Sequence, residues 1–241
     1  MKNNITILGV RIDNFFIREI KENILAILES SPKQKFAATL NPEIVLKAHQ
    51  DEKYRHILNS ADLNICDGFG LRLAGFLKIK RIKARFTGVE MVDFLLENAK
   101  KYNLRVLVIA AENSLSAPNE IERSIREKYS DLSAKSEYYL PSQNVFENAI
   151  VKEAEIIFVN FGAPEQEKFI FENREKFPSA KILVGVGGTF DFLTGKIKRA
   201  PEAMRKIGLE WLWRMIQEPK RIKRIWNAVV VFPVVVLLGK D

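Results

Sequence analysis

The chain has 241 residues, of which 47% are apolar; this excludes a largely disordered protein and is enough for one buried core with a smaller appended segment. Its single cysteine, Cys66, excludes an intrachain disulfide and favours a reducing compartment. The formal net charge is +8, and residues 196–224 carry +7 of it, because ten Lys or Arg residues there outnumber three acids. A cationic segment on a nearly neutral body indicates an anionic partner surface, either a membrane or a nucleic acid.

Neither end of the chain has the pattern of a segment that crosses a membrane. Residues 1–16 interrupt their apolar positions with Arg11 and Asp13, unlike a signal peptide. The longest apolar run, 228–238, is far shorter than the roughly 20 residues that span a bilayer, and it contains Pro233. We therefore expect a cytoplasmic protein.

Short β-rich runs alternate with longer segments of helical pattern. Strands are predicted at 5–8, 35–40, 62–66, 105–110, 155–160 and 181–186, and helices near 14–30, 42–60, 69–77, 89–101, 115–129, 146–154 and 164–176. This alternation predicts an α/β fold with a doubly wound, mainly parallel, Rossmann-like sheet. Ligands of such sheets bind beyond the carboxyl ends of the strands, so the residues that follow each strand are the candidate site.

Polar residues follow the strands predicted at 35–40 and 62–66. Thr39 and Asn41 lie at the end of the first, where Asn41 either caps the helix that Pro42 opens or faces a ligand. Asp67 follows the second, where its carboxylate either caps the next helix or acts as a general base in a cleft. The sequence leaves both pairs of alternatives open.

Two further strand exits favour an anion. Gln166 lies at a helix start, where free N–H groups attract negative charge and the side-chain amide can bond a substrate. The last strand runs into Gly185, Gly187 and Gly188, which let backbone N–H groups approach a bulky polar group such as a phosphate. A tight turn between a strand and a helix is the alternative explanation of these glycines.

Basic residues cluster at 78–88, where most are typical of a solvated surface. Arg85 differs from the others because it lies beside Thr87 and Gly88, at the start of a predicted helix. We single it out as a candidate for contact with an anionic substrate.

The sequence lacks the usual signatures of a metal site. No two aspartates lie two positions apart, so there is no D-x-D pair to hold a divalent metal on a diphosphate, and His49 and His56 have no partners at ligand spacing. We expect no metal and no cofactor. A departing diphosphate would then be stabilised by arginines and helix N-termini.

The basic C-terminal segment has an amphipathic pattern. Apolar residues, including Trp213 and Trp226, recur at roughly helical spacing among the basic ones, which is typical of a helix at a membrane interface. A pair of helices packed on the body is the alternative. We expect a catalytic α/β domain at 1–195 and a membrane-docking appendage at 196–241.

Several of these motifs occur together and in order, and the chain resembles the WecG/TagA/CpsF family of bacterial glycosyltransferases over essentially its full length. The motifs are Thr39-x-Asn41, Asp67-Gly68-x-Gly70, Arg85-x-x-Gly88, Gly162-Ala163-Pro164-x-Gln166-Glu167-Lys168, Gly185-Val186-Gly187-Gly188-x-Phe190-Asp191, Gly195-Lys196-x-Lys198-Arg199-Ala200-Pro201 and Gly208-Leu209-Glu210-Trp211-Leu212-x-Arg214.

The resemblance implies a metal-independent, inverting enzyme that moves a sugar from a UDP-sugar to N-acetylglucosaminyl-diphospho-undecaprenol, for cell-surface polysaccharide or teichoic acid synthesis. N-acetylmannosamine is the sugar that it favours. Asp67 would be the base, Thr39, Asn41 and Gln166 would lie near the sugars, and the phosphate ligands would be Arg85, Arg214, Arg221 and Arg224. The appendage would bring the enzyme to the inner face of the plasma membrane and complete the active site.

Other functions remain open. Within the same fold, the donor sugar could instead be N-acetylmannosaminuronic acid or glucose. A non-catalytic nucleotide- or nucleic-acid-binding protein is a further alternative, although no recognition motif accompanies the basic segment. A Rossmann oxidoreductase is disfavoured because no G-x-G-x-x-G follows the first strand. The sequence does not decide between a monomer and a homo-oligomer.

Overall fold

The computed structural model describes residues 3–30, 33–77, 81–139, 146, 148–219 and 222–239, without the side chains of Leu77 and Lys206. The chain begins with an antiparallel hairpin of β1 (Asn4–Ile7) and β2 (Val10–Asp13). The main sheet follows, with strands β3 (Lys35–Leu40), β4 (Leu63–Cys66), β5 (Val106–Ala111), β6 (Ala134–Tyr139), β7 (Ile156–Asn160) and β8 (Ile182–Gly185). Its order is β4-β3-β8-β7-β5-β6, and every neighbouring pair is parallel.

Helices connect these strands and extend beyond the last one. Those of the α/β body are α1 (Ile17–Ser30), α2 (Pro42–Gln50), α3 (Glu52–Ser60), α4 (Phe69–Leu77), α5 (Gly88–Lys101), α6 (Pro118–Lys128), α7 (Ala149–Glu153), α8 (Glu165–Asn173) and α9 (Phe190–Leu193). The C-terminal helices are α10 (Glu202–Lys206), α11 (Glu210–Gln217), α12 (Ile222–Trp226) and α13 (Phe232–Leu238), with a π-helical turn at Asn227–Val231 between the last two.

The fold confirms the predicted α/β class with a mainly parallel sheet. One strand prediction was wrong in detail, because the strand predicted at 5–8 corresponds to β1 of the separate hairpin, and strands β2 and β6 were missed. The sequence of β6, AKSEYY, has no apolar run because it lies at the sheet edge, where only Ser136 is fully buried. The single helix predicted at 42–60 is two helices, because Asp51 ends α2 and caps α3 by accepting a hydrogen bond from the Tyr54 N–H.

Two hydrophobic layers cover the faces of the main sheet, because side chains alternate along each strand. On β7, Ile157 and Val159 face the layer that contains α2, α3 and α8. Ile156 and Phe158 face the layer that contains α1, α5 and α6. All four side chains are fully buried. Polar side chains that could bind a ligand are therefore expected at the ends of the strands.

Part of the C-terminal segment packs on the body. Phe232 and Val236 of α13 are fully buried in the first layer, whereas Val234 and Leu237 on the same helix are about half exposed. Helices α11 and α12 bury no side chain completely, and Ile216, Ile222 and Trp226 are mostly exposed. Within the described part of the chain, no helix combines the length and the apolar character that crossing a membrane would need.

Candidate active site

A cleft of about 480 Å³ lies at the carboxyl ends of the parallel strands. The loops after β3, β4, β5, β7 and β8 all contribute to its wall, as the topology of a parallel sheet requires. The C-terminal segment closes another side with Arg199, Glu210, Arg214 and Arg224. The cleft therefore forms between the α/β body and the basic segment.

Asp67 is a carboxylate at the wall of this cleft, directly after β4. Its backbone N–H donates to the Leu40 carbonyl at 2.8 Å, which fixes the turn between the strand and α4. Burial raises the pKa of Asp67 to about 6, and the negative charge of Glu210 acts in the same direction. A hydrogen bond from the Gly88 N–H and the nearby Arg85 oppose the rise. At neutral pH the carboxylate is mostly ionised and can accept a proton.

The N-terminus of α5 lies against Asp67. Thr87 and Glu90 form a capping box: the Thr87 N–H donates to Glu90 Oε2 at 2.7 Å, and the Glu90 N–H donates to Thr87 Oγ1 at 3.2 Å. This cap fixes the position of Gly88. A Cβ on Gly88 would lie 3.1 Å from Thr189 Oγ1 and 3.7 Å from both Asp67 Oδ2 and Thr39 Oγ1, so three oxygens surround this glycine.

Thr39 and Asn41 line the same cleft at the end of β3. Thr39 is nearly buried and donates its hydroxyl to the Gly185 carbonyl at 3.2 Å. Asn41 caps α2, since its Oδ1 accepts from the Ile44 N–H at 3.0 Å. Asn41 is therefore a helix cap, which was one of the two alternatives for this residue, and it also lines the cleft.

Gln166 is almost fully buried and is occupied by the protein itself. Its Oε1 accepts from the N–H groups of Gly187 at 2.7 Å and Gly162 at 3.1 Å, and its Nε2 donates to Glu167 Oε1 at 2.6 Å. Glu167 is completely buried and also accepts from the Tyr54 hydroxyl at 2.8 Å. Burial raises the pKa of Glu167, while these two donors lower it. Gln166 thus fixes the positions of the Gly162 loop and the Gly187 loop relative to each other.

The space around two glycines, one at the end of β8 and one just after it, excludes larger side chains. A Cβ on Gly185 would lie 2.8 Å from Gln166 Nε2, and one on Gly188 would lie 2.7 Å from Asp191 Oδ2. Gly187 has φ +53, in the left-handed region, and it lines the cleft together with Gly188. The tight turn, which was the alternative explanation of these glycines, is present here, and the Gly187 N–H donates to Gln166 Oε1.

Arginines of the cleft pair with glutamates at its rim. Arg85 and Arg199 lie 3.9 and 3.8 Å from the two carboxylate oxygens of Glu210. The Arg199 Nε is buried and makes no hydrogen bond to any described residue. Arg214 lies 3.9 Å from Glu218 and over the Phe192 ring. Each of these guanidinium groups lies within ion-pair distance of a glutamate, so a phosphate that binds here would compete with that carboxylate for the arginine.

The structure brings most of the predicted site residues together. The cleft is lined by Thr39, Asn41, Asp67, Gln166, Gly187, Gly188, Arg214 and Arg224. Gly185 lies behind Gln166, and Arg85 lines an adjoining apolar groove. Arg221 lies outside the described residues.

Other residues of the cleft were not identified as site residues from the sequence. Asn113 and Ser114, after β5, line it, and so do Arg199 and Glu210. Arg199 and Glu210 belong to the motifs quoted above, and those motifs could have identified them as site residues. In the part of the chain that is described, no cluster of three or more His, Cys, Asp or Glu side chains could hold a metal ion.

The chain is similar to known proteins over most of its length. The model of the glycosyl transferase WecG/TagA/CpsF family matches residues 5–240. A protein of Bacillus spizizenii named N-acetylglucosaminyldiphosphoundecaprenol N-acetyl-beta-D-mannosaminyltransferase is 34% identical over 195 residues, which cover 80% of this chain and 75% of the relative. A Staphylococcus aureus protein of the same name is 31% identical over 235 residues, covering 95% and 90%.

Proposed function

Because this chain belongs to the WecG/TagA/CpsF family of glycosyltransferases, we propose that it transfers N-acetylmannosamine from a UDP-sugar to N-acetylglucosaminyl-diphospho-undecaprenol. The names of the similar proteins support this acceptor and this sugar. UDP as the donor carrier follows from the family resemblance. The reaction would serve the synthesis of teichoic acid or another cell-surface polysaccharide.

One observation carries the proposed mechanism: the Asp67 carboxylate lines the same cleft as the guanidinium groups of Arg199, Arg214 and Arg224. Its pKa of about 6 leaves it ionised at neutral pH, yet more basic than an ordinary aspartate. A general base with a pKa near the working pH accelerates proton transfer by about 10²–10⁴-fold. Asp67 is therefore the base that we assign to the acceptor hydroxyl.

The transfer is a single displacement. The acceptor hydroxyl oxygen forms a bond to the anomeric carbon as its proton moves to Asp67. The bond between that carbon and the diphosphate oxygen of the donor breaks, and UDP leaves with the electron pair. Attack from the face opposite UDP inverts the anomeric centre.

The departing UDP gains one negative charge, in addition to the two that its diphosphate already carries in the donor, and the protein must stabilise this charge. Arg199, Arg214 and Arg224 line the cleft, and Arg85 lies at its rim, so the guanidinium groups needed are present. Such groups bind an oxyanion without a metal ion.

Residues 196–241 would serve as an appendage that docks the enzyme on the inner face of the plasma membrane. Exposed Ile216, Ile222 and Trp226 lie among basic side chains on α11 and α12. An anionic membrane surface attracts such a segment at about 1 kcal/mol for each Lys or Arg that lies near it. The same segment supplies three arginines of the cleft, so docking and catalysis would be coupled.

The direct test is an assay of the full chain with a panel of UDP-sugars and a lipid-linked N-acetylglucosamine diphosphate acceptor. We expect UDP-N-acetylmannosamine to be the best donor, the product to have the inverted anomeric configuration by NMR, and activity to survive EDTA. A clear preference for UDP-glucose or for UDP-N-acetylmannosaminuronic acid would show that the proposed donor sugar is wrong. Transfer to none of the panel would overturn the proposed activity.

A further inference from the structure

An apolar groove of about 360 Å³ adjoins the polar cleft. One wall is formed by Phe69 and Leu73 of α4, and the other by Ile225 of α12 and Val229 of the π-helical turn. Phe69, Leu73 and Val229 are each about 40% exposed, so described side chains leave the groove open. An apolar groove that faces water costs free energy because its side chains are hydrated, and an apolar ligand that fills it removes this cost.

The groove and the cleft meet at charged residues. Asp67, Glu43, Arg214 and Arg224 line both spaces, and Arg85 lines the groove close to this junction. A ligand that extends from the cleft into the groove therefore passes Asp67 and the guanidinium groups at the junction and then reaches mostly apolar side chains. Such a ligand would combine a hydroxyl-bearing group, an anionic group and an apolar chain.

We propose that this groove binds the first isoprene units of the acceptor, next to its diphosphate. This inference rests on the proposed function and names a binding site for the acceptor chain. An acceptor sugar near Asp67, a diphosphate at the arginines of the junction and a polyprenyl chain in the groove fit the side chains that line the two spaces. The groove is much smaller than a whole undecaprenyl chain, so the remaining units stay in the bilayer.

The charged junction favours this occupant over two others. An acyl chain of a bulk membrane lipid has no reason to end at a general base inside a cleft. A second copy of the chain would bring its own surface against Arg214 and Arg224, whose charges suit phosphates. The two walls also come from the body and from the C-terminal segment, so a bound chain would hold them together.

Two neighbouring valines provide a matched test. Val229 lines the groove and is 39% exposed, whereas Val230 is 38% exposed and does not line it. The experiment measures kcat/KM of the full chain for two acceptors that share N-acetylglucosamine diphosphate, one esterified with farnesol and the other with methanol. The ratio of the two values reports the contribution of the chain.

We expect the wild-type protein to prefer the farnesyl acceptor. Leu73→Asn and Val229→Asn should each reduce this preference about tenfold, because a polar side chain replaces an apolar contact with the chain. Val230→Asn should retain the wild-type ratio. Thermal melting of all three variants checks that they are folded, and binding to phosphatidylglycerol vesicles is measured in parallel.

The outcomes separate the two proposals. If the wild-type protein uses neither acceptor, the proposed function fails, and this inference fails with it. If it uses both equally, or if Leu73→Asn and Val229→Asn keep the wild-type ratio, the groove does not bind the chain although the activity stands. Loss of vesicle binding with an unchanged ratio would assign the groove to bilayer lipids and overturn the proposal.

Discussion

The guanidinium group of Arg224 and the carboxylate of Glu43 form a paired contact across the mouth of the cleft. The Arg224 Nε lies 3.1 and 3.0 Å from the two Glu43 oxygens, and Nη2 lies 2.9 Å from Oε2. Glu43 is in the first turn of α2, two residues after Asn41, whereas Arg224 belongs to α12. The contact therefore connects the C-terminal segment to a strand exit of the α/β body. Its geometry is that by which arginine binds a phosphate.

Arg224→Ala should lower kcat/KM for the lipid-linked acceptor by about 10- to 100-fold, because a charge-assisted contact to the diphosphate is lost. Stability should change little, since an ion pair with a half-exposed arginine contributes about 0–1 kcal/mol. Steady-state kinetics and thermal melting check both parts.

Arg105 provides the control for this variant. Its side chain is 52% exposed and pairs with Glu153 at 3.0 Å, away from the cleft. Arg105→Ala should leave both the melting temperature and kcat/KM close to wild type. Equal activity of Arg224→Ala and Arg105→Ala would remove Arg224 from the substrate site.

Asp67→Asn should reduce turnover by at least about 100-fold, because the amide keeps the shape of the side chain but cannot accept the proton. Binding of UDP, measured by calorimetry, should be retained. In the wild-type enzyme, kcat/KM should rise with pH through about 6 and then level off, as the base ionises. Near-normal turnover of the variant would exclude Asp67 as the base.

The same substitution should affect stability in a pH-dependent way. The pKa of Asp67 is raised in the folded state, from 3.8 to about 6, so its protonated form favours folding and this contribution is lost as the pH rises through 6. The neutral amide of Asp67→Asn has no such loss. The melting temperature of the variant, relative to wild type, should therefore increase between pH 4 and pH 7. A difference that stays constant with pH would contradict the raised pKa.

Much of the site could be predicted from the sequence, because a parallel sheet brings the carboxyl ends of its strands to one edge. Thr39, Asn41 and Asp67 were identified as polar residues at or directly after the ends of predicted strands, and all three line the cleft. The pattern could not reveal that the Gln166 amide is occupied by Gly162 and Gly187, since those hydrogen bonds depend on how two loops meet.

Sequence patterns also could not predict ion pairs between residues that are far apart along the chain. Glu210 lies opposite Arg85 and Arg199, which are 125 and 11 positions away along the chain, and no periodicity encodes such a contact. The edge strand β6 was missed for a related reason. Strand β6 has a neighbouring strand on one side only. Its side chains are therefore less buried, and its sequence has no clear apolar pattern.

Gln166→Ala should lower both activity and stability, because it removes the acceptor for two backbone N–H groups and a donor to the buried Glu167 carboxylate. Each buried polar group left without a partner costs about 1–3 kcal/mol. Gln217→Ala is the control, since that amide bonds the Lys198 carbonyl at an exposed position. Urea unfolding of both variants checks the free energies. If Gln166→Ala loses activity with unchanged stability, its amide serves the substrate and not the loops.

Phe232→Ala should destabilise the protein by about 3–5 kcal/mol, because the side chain of α13 is fully buried in the layer that covers α2 and α4, and its removal leaves a cavity. Activity should fall as well, since α13 anchors the helix that carries Arg224 and the π-helical turn that forms a wall of the groove. Leu237→Ala, on the same helix but 58% exposed, should change the free energy of unfolding by less than about 1 kcal/mol. Urea unfolding measures both values. If the two variants are equally stable, α13 is not packed on the body as described, and the C-terminal segment acts on the cleft without being fixed to it.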